Sequence, residues 1–354
     1  MQRDIHFYGV YALARAAGID WGTSRTIAYA SQFVDDATDE GVVILPDLRG
    51  IIPIMTSHRP LDYTNAIAGD QWRVWVPFHF LPGNEPMSGS FLERMICRKD
   101  SQPVRRMLSH ALDWGFQSGN DTGCWPHLIG IAAHVYADTF SHHGFIGMAH
   151  AWNKVKGSSL ETAGNQSASF IDCLMKKVET CMAWITGDLA ELVPIGHGAV
   201  AAYPDLPYLR WRFEYEERES TPGEIQRDNP VDFLAGCEGL FRFFRGFSER
   251  NSQIRDPKGP RDWSDISGHV ERLLRIQASA EDRCQAWQEA IVSDRFCRCT
   301  DMDQEIRYDP DAWTLRKTRA IFTTTGDAYR FLMAAWRHQT YVLRELLPEV
   351  GLLA

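Results

Sequence analysis

The sequence predicts a mainly α fold, a multi-helix bundle with one short β-hairpin or extended-loop insertion, and three observations carry that prediction. Apolar residues recur at helical spacing over most of the chain. Only the stretch after Gly41 changes texture, to β-branched and aromatic residues broken by Pro and Gly. No internal repeat or low-complexity tract competes with that reading.

The elements follow in order. Asp4 to Ala17 is helical in spacing, and Gly18 supplies its stop. Thr23 or Ser24 is placed to cap a second helix, SRTIAYASQFVDDATDE, which ends in an acidic run. GVVILPDLRGIIPIM and QWRVWVPFHFLPGNEP are expected as the hairpin or as extended loops over one end of the helical body. On such a strand His79 alternates with Phe78 and Phe80 and points away from both rings. Ser101 and Pro103 open SQPVRRMLSHALDWGF, while Pro126 opens WPHLIGIAAHVYADTFSHH and Gly144 closes it. SLETAGNQSASFIDCLMKKVETCMAWITGDLAEL keeps helical periodicity for most of its length, and VPIGHGAVAAYPDLPYLRW breaks it. The charged, Pro- and Gly-containing EYEERESTPGEIQRDNP marks a boundary between a metal-binding catalytic helical domain, 1–217, and a C-terminal helical region, 218–354, able to pack into the same domain. Beyond it, VDFLAGCEGLFRFFRGF, WSDISGHVERLLRIQASAEDRCQAWQEAI and GDAYRFLMAAWRHQTYVLRELL read as three further helices.

Composition narrows the function. A content of 44% hydrophobic and 23% charged residues is globular, and no apolar run approaches the roughly 20 residues a membrane span needs. The start, MQRDIHFYGVYALARAAG, lacks a basic leader with an apolar core, which points to a cytoplasmic protein or one exported without a signal peptide. A net charge of -9 argues against stable nucleic-acid binding and against attraction to anionic membrane. The eight cysteines are scattered without metal or redox spacing and read as mostly reduced core residues. Serine-hydrolase elbow, P-loop, dinucleotide fingerprint, His-Asp doublet and His-Glu-x-x-His are all absent. Ten of the twelve histidines lie at or before His197, so imidazole chemistry belongs to the first 200 residues.

The chemistry-bearing segment is GIAAHVYADTFSHHGF, residues 130–145. On a helix His127, His134, Asp138 and His142 share one stripe, among apolar neighbours such as Leu128, Ile131 and Val135. Burying a carboxylate and imidazoles without partners costs several kcal/mol, and a divalent metal supplies the partner. A hydrogen-bonded ladder or a solvated polar face is the alternative.

That segment resembles the core of the zinc-dependent phospholipase C superfamily, especially the branch containing glycosylphosphatidylinositol-specific phospholipase D. The superfamily also holds the trinuclear-zinc single-strand nucleases. The likeness implies a phospholipase C-like helical bundle with two or three zinc ions. It further implies that His134 and Asp138 are ligands, with Asp138 bridging, and that another His and an Asp come from early in the chain, here His6 and Asp35 or Asp36. The chain is also similar to an uncharacterised bacterial family carrying D-x-H-[FY]-Y, QFVDD, FHFLP, H-x-x-A-D-x-F-S-H and GHG...PD-x-P, all present between residues 4 and 207.

Two departures matter. Secreted members use an N-terminal Trp as a ligand, whereas this chain reads Met1-Gln2-Arg3, so the site is expected to be completed differently, with Asp4 a candidate substitute, or to hold fewer metals. The second superfamily pair, His-x-x-x-Glu, is absent after position 143, and His197 and Asp205 are candidates to replace it from a loop.

The expected metal ligands are therefore His6, Asp35, His79, His134, Asp138, His142, His197 and Asp205, with Asp36 a candidate general base beside Asp138. His110 is a weaker candidate, His143 cannot share a helical face with His142 and is expected to contact substrate or backbone, and His150 lies past the expected helix end. Trp72, Trp75, Phe78 and Phe80 line a lipid or base pocket or else pack the core. The resemblance implies a zinc-dependent phosphodiester hydrolase of phospholipase C type acting on a phosphodiester or phospholipid. The alternatives are a metal-dependent single-strand nuclease and a non-catalytic, metal-stabilised helical protein.

Overall fold

The structure is a computed structural model that describes residues 1–58, 70–117, 119–120, 122–162, 196–218, 221 and 223–353. Among the described residues the fold is mainly α, with one sheet of two strands and one of three. Most of the helix expected in SLETAGNQSASFIDCLMKKVETCMAWITGDLAEL, with Cys173 and Cys181, lies outside them. The described cysteines are free, and all but the half-buried Cys299 are buried.

The chain enters through a π-helical turn, Asp4–Gly9, that runs into α1, Val10–Ala16; every residue of both is buried, so this element threads the core. Gly18, at φ +86, ends it in the left-handed region that glycine tolerates. Helix α2, Trp21–Asp36, is capped by Asp20, whose Oδ1 accepts from the Thr23 backbone N–H at 3.0 Å. The cap is thus neither Thr23 nor Ser24, and Ser24 instead turns inward to donate to the Ile19 carbonyl at 3.3 Å.

The expected hairpin forms, with β1 (Val43–Ile44) antiparallel to β2 (Gly50–Ile51). The second β-like segment does not: Gln71–Trp75 is π-helical and Val76–Phe78 continues as a helix. Its β-branched and aromatic residues pack inward, Val74, Val76 and Phe78 all being buried, so packing overrides strand propensity. His79 accordingly caps a helix rather than alternating along a strand.

Helix α3, Gln102–Asp113, starts after Ser101 with Pro103 in its first turn. Helix α4, Trp125–Ser141, is buried along its whole length except Pro126. It crosses α2 at Gly130, where a Cβ would lie 2.3 Å from the Ile27 carbonyl oxygen and 2.7 Å from Ala30 Cβ. Glycine is what allows the two backbones that close.

The three-stranded sheet orders β3 (Glu161–Thr162), β4 (Arg210–Phe213) and β5 (Ile225–Asp228), antiparallel throughout. Its Trp211 and Phe213 join Phe80, Phe145 and Tyr203 in a second, smaller core. That core holds the 196–209 loop against the end of α4. Helix α5, Asn229–Arg250, is capped by Asp228. The next expected helix is two, α6 (Trp263–Leu274) and α7 (Ala280–Val292), because Ser279 Oγ caps α7 by accepting from the Asp282 N–H at 3.1 Å. Helix α8, Asp327–Tyr341, closes the bundle against α4. Buried Arg15 ties the C-terminal segment to α1, its Nε donating to Asp303 at 2.8 Å. No helix among the described residues is long and apolar enough to cross a membrane.

Candidate metal centre

The floor of the centre is the last two turns of α4. His134 and Asp138 are 0% and 1% exposed, and their Nε2 and Oδ2 atoms lie 3.1 Å apart. The helix ends at Ser141, so His142 is its cap, at φ -92 and ψ 0, rather than a third rung of the stripe. The turn still keeps the ring close, with His142 Nδ1 3.5 Å from Asp138 Oδ2.

Four imidazoles are oriented by backbone carbonyls. His134 Nδ1 lies 2.8 Å from the Ser31 oxygen, His79 Nε2 2.8 Å from Thr56, His142 Nδ1 2.9 Å from His79 and His197 Nδ1 2.8 Å from Ala201. A carbonyl only accepts, so each of these nitrogens carries the proton and donates. In a neutral ring the other nitrogen then presents a lone pair. Those second nitrogens all point inward, His134 Nε2 and His79 Nδ1 at 3.1 Å from Asp138 Oδ2 and 3.3 Å from each other. His142 Nε2 and His197 Nε2 sit 3.3 and 3.6 Å from Asp205. His6 stacks on His134 with ring centroids 3.9 Å apart and places Nε2 3.1 Å from Asp138 Oδ1.

The centre collects three carboxylates. Asp138 is central, Asp205 arrives on the 3-10 turn Tyr203–Asp205, and Asp35 ends α2 with Oδ1 3.7 Å from His134 Nε2 and 3.9 Å from His79 Nδ1. The Met1 α-ammonium is buried among them, 2.8 Å from Asp138 Oδ1 and 3.2 Å from Asp205 Oδ1. Burial opposes its charge, but Asp138 and Asp205 prevail and push its pKa up to about 11. Burial alone would raise the Asp138 carboxyl; His142, the Met1 ammonium, His134 and His6 instead hold it well below the usual carboxylate range. His6 and His197 are pushed down by burial, His197 to about 4, whereas at His79 burial is outweighed by the bond to Asp138 and the charges of Asp138 and Asp35 together, which raise the pKa. Asp35 is pushed up, first by desolvation.

Three sets of donor atoms lie within metal-ligating reach of one another: His6, His134 and Asp138; Asp35, His79 and His134; and His142, His197 and Asp205. The donors fit a divalent ion on two counts. Imidazole nitrogen and carboxylate oxygen are the ligand types of zinc, and four of the five rings are braced by an outer hydrogen bond, His6 Nδ1 having none. Asp205 Oδ1 is also buried without a well-formed hydrogen bond, although the Met1 and His142 nitrogens stand 3.2 and 3.3 Å from it.

All eight expected ligands converge here, on α2, α4 and four other segments. The remaining candidates do not. Asp36 bonds Gln32 and Tyr308, and Asp4 turns away to a 2.7 Å ion pair with Arg283 because the π-helical turn puts it opposite His6. His127 shares the helix but pairs with Asp327 at 3.2 Å, two turns from His134. His110 stacks on Tyr341, His143 pairs with Asp232, and His150 accepts from the Trp152 N–H. Phe80 is buried and stacks on His142, Phe78 is core, and Trp75 packs beside His79. Sequence reasoning missed the Met1 amine, which has no residue-type signature, and Tyr308, which lies far downstream.

No protein of curated function and no solved structure matches the chain. One family does, over residues 1–346. The chain therefore belongs to a family of unknown function, DUF6765.

Proposed function

We propose that this centre holds a cluster of divalent metal ions, zinc by its donor set, and hydrolyses phosphodiesters in the manner of a phospholipase C. One observation carries the reading: imidazoles whose protons are committed to backbone carbonyls aim their second nitrogens at carboxylate oxygens, acceptor against acceptor, in a buried pocket. A neutral ring set so is repelled by the carboxylate unless a cation lies between them. A proton on His79, which Asp138 favours, relieves that one contact, and burial that disfavours charge on His6 and His197 leaves theirs to a metal ion.

His6, His134 and Asp138, with the Asp35/His79 pair on one side and His142, His197 and Asp205 on the other, would hold the ions. Bound divalent ions supply Lewis acidity toward a phosphoryl oxygen and bring a water towards neutral pKa. The chain's own part is to fix the ligands, to exclude bulk water where buried Phe80 stacks on His142, and to leave an approach at its rims. There Asp35 is 32% exposed, His197 17% and Asp205 15%. The acidic surface, at net charge -9, favours a lipid or small phosphodiester over a polynucleotide.

The test is hydrolysis by zinc-reconstituted protein of phosphatidylcholine, bis-p-nitrophenyl phosphate and single-stranded DNA. Zinc-dependent cleavage of the first two supports the proposal. Cleavage of DNA alone would make it a nuclease, and zinc uptake without any hydrolysis would leave a metal-stabilised protein.

A further inference from the structure

We propose that Tyr308, from the C-terminal region, is a positioning residue for the outermost carboxylate of the centre, Asp35, acting through Asp36 and Gln32. The inference rests on the metal-centre reading above and assigns part of that centre to residues beyond 218.

Asp35 is the ligand that most needs support. It stands 3.7 and 3.9 Å from the nearest imidazole nitrogens, against 3.1 Å for Asp138, and about a third of its side chain meets solvent. It is also one of two adjacent carboxylates in the last turn of α2, where the partial negative charge of the helix end disfavours both. Left alone, such side chains turn outward into water.

Gln32 and Tyr308 hold them. The Gln32 amide, nearly buried, places Nε2 3.4 Å from Asp35 Oδ2 and 3.2 Å from Asp36 Oδ2, one NH2 group bracing both carboxylates. Two acceptors on that side fix which end of the amide faces them. Asp36 Oδ2 in turn accepts from the Tyr308 hydroxyl at 2.6 Å. The Tyr308 ring is gripped by Phe7 and Tyr29, with centroids 5.2 and 4.7 Å away. Its loop is anchored upstream by Asp303, which bonds buried Arg15 and Tyr11. The line from α1 through Asp303 and Tyr308 thus ends on the mouth of the centre. Asp36 makes no recorded contact with the cluster imidazoles, so its place is behind Asp35 rather than among the ligands.

Zinc titration against a competing chelator tests the inference on the full chain. Tyr308→Phe keeps the ring packing and removes the hydroxyl; it should weaken the loosest ion about 10-fold, the lower end of what outer-shell losses cost, and leave tighter ions unchanged. Asp36→Ala should weaken the same ion by a similar factor, and Tyr308→Phe should add nothing in that background, because the tyrosine acts through Asp36. Wild-type binding in either single variant, or a full further loss in the double variant, overturns the relay while leaving the centre in place. If Tyr308→Phe does not fold, Asp36→Asn, which keeps the side chain's size and weakens the acceptor of the tyrosine hydroxyl, should still loosen the same ion, and wild-type binding there overturns the relay. A wild-type chain that takes up no zinc removes the centre and this inference together.

Discussion

His134 Nε2 and Asp138 Oδ2 face each other at 3.1 Å across one turn of α4, while His134 Nδ1–H donates a hydrogen bond to the Ser31 carbonyl. In its neutral form the ring presents a lone pair from Nε2 to the Asp138 carboxylate. His79 repeats the arrangement on the same oxygen. A metal ion between them would make ligands of all three, in place of the proton that Asp138 otherwise favours on His79, which is why the proposed centre depends on Asp138. Asp138→Asn should lower zinc affinity by more than the roughly 10–100-fold that losing an outer partner costs, and abolish zinc-dependent phosphodiesterase activity. Far-UV circular dichroism should remain that of the parent; full activity in the variant would refute the role of Asp138.

Metal should stabilise the fold in proportion to its concentration. A ligand at about 1,000 times its dissociation constant adds about 4 kcal/mol to a native state that alone binds it. Chelation should lower the melting temperature and zinc restore it, with the dependence absent in Asp138→Asn. Melting curves with and without chelator check this.

The close crossing of α2 and α4 should make Gly130 intolerant of any side chain. In an open helix Gly→Ala gains about 0.5–1 kcal/mol, and Gly268 on α6, with nothing within 4 Å of its added Cβ, should behave so. At Gly130 the Cβ would sit 2.3 Å from a backbone oxygen, so the helices must part. Gly130→Ala should therefore destabilise by about 1–3 kcal/mol and weaken zinc binding, since His134 would lose the Ser31 carbonyl that orients it. Denaturant unfolding of the two alanine variants reads the opposite signs.

Acid should weaken the fold through His338, which is buried, donates Nε2 to the Pro77 carbonyl at 2.8 Å and is pushed down by burial to about 4. Its unfolded value is near 6.5, so between those limits the unfolded chain binds the extra proton. Stability from this residue is complete above pH 6.5, falls as pH drops towards 4, and is flat below. The difference is on the order of 3 kcal/mol. His338→Gln, which keeps a donor for Pro77, should flatten that part of a stability-against-pH curve measured with chelator present.

Much of the centre was legible because its ligands are side chains with unusual burial costs at helical spacing. His134 and Asp138 declare themselves among Ile131, Ala133 and Val135, and the shared motifs carry His6, His79, His197 and Asp205 with them. What orients them was not legible. The carbonyls of Ser31, Thr56, His79 and Ala201 are backbone groups that any residue supplies. Met1 contributes an amine, which no residue type announces, and Asp4, the candidate substitute for the N-terminal Trp ligand of the resembled superfamily, is claimed by Arg283 from 279 residues away. The choice between Asp35 and Asp36 likewise needed Tyr308, a contact across 272 residues. In the fold, the 71–78 segment misled because its strand-forming residues are buried on a helical turn, and Ser279 marks a helix start inside an otherwise continuous periodic run.

The most direct measurement is the metal content of the purified full-length chain by elemental analysis, after exchange into metal-free buffer. The account predicts two or three zinc ions per chain, lost in Asp138→Asn. A content near zero that added zinc does not raise would contradict it, and would leave His134, Asp138 and their neighbours as a buried ladder of shared protons.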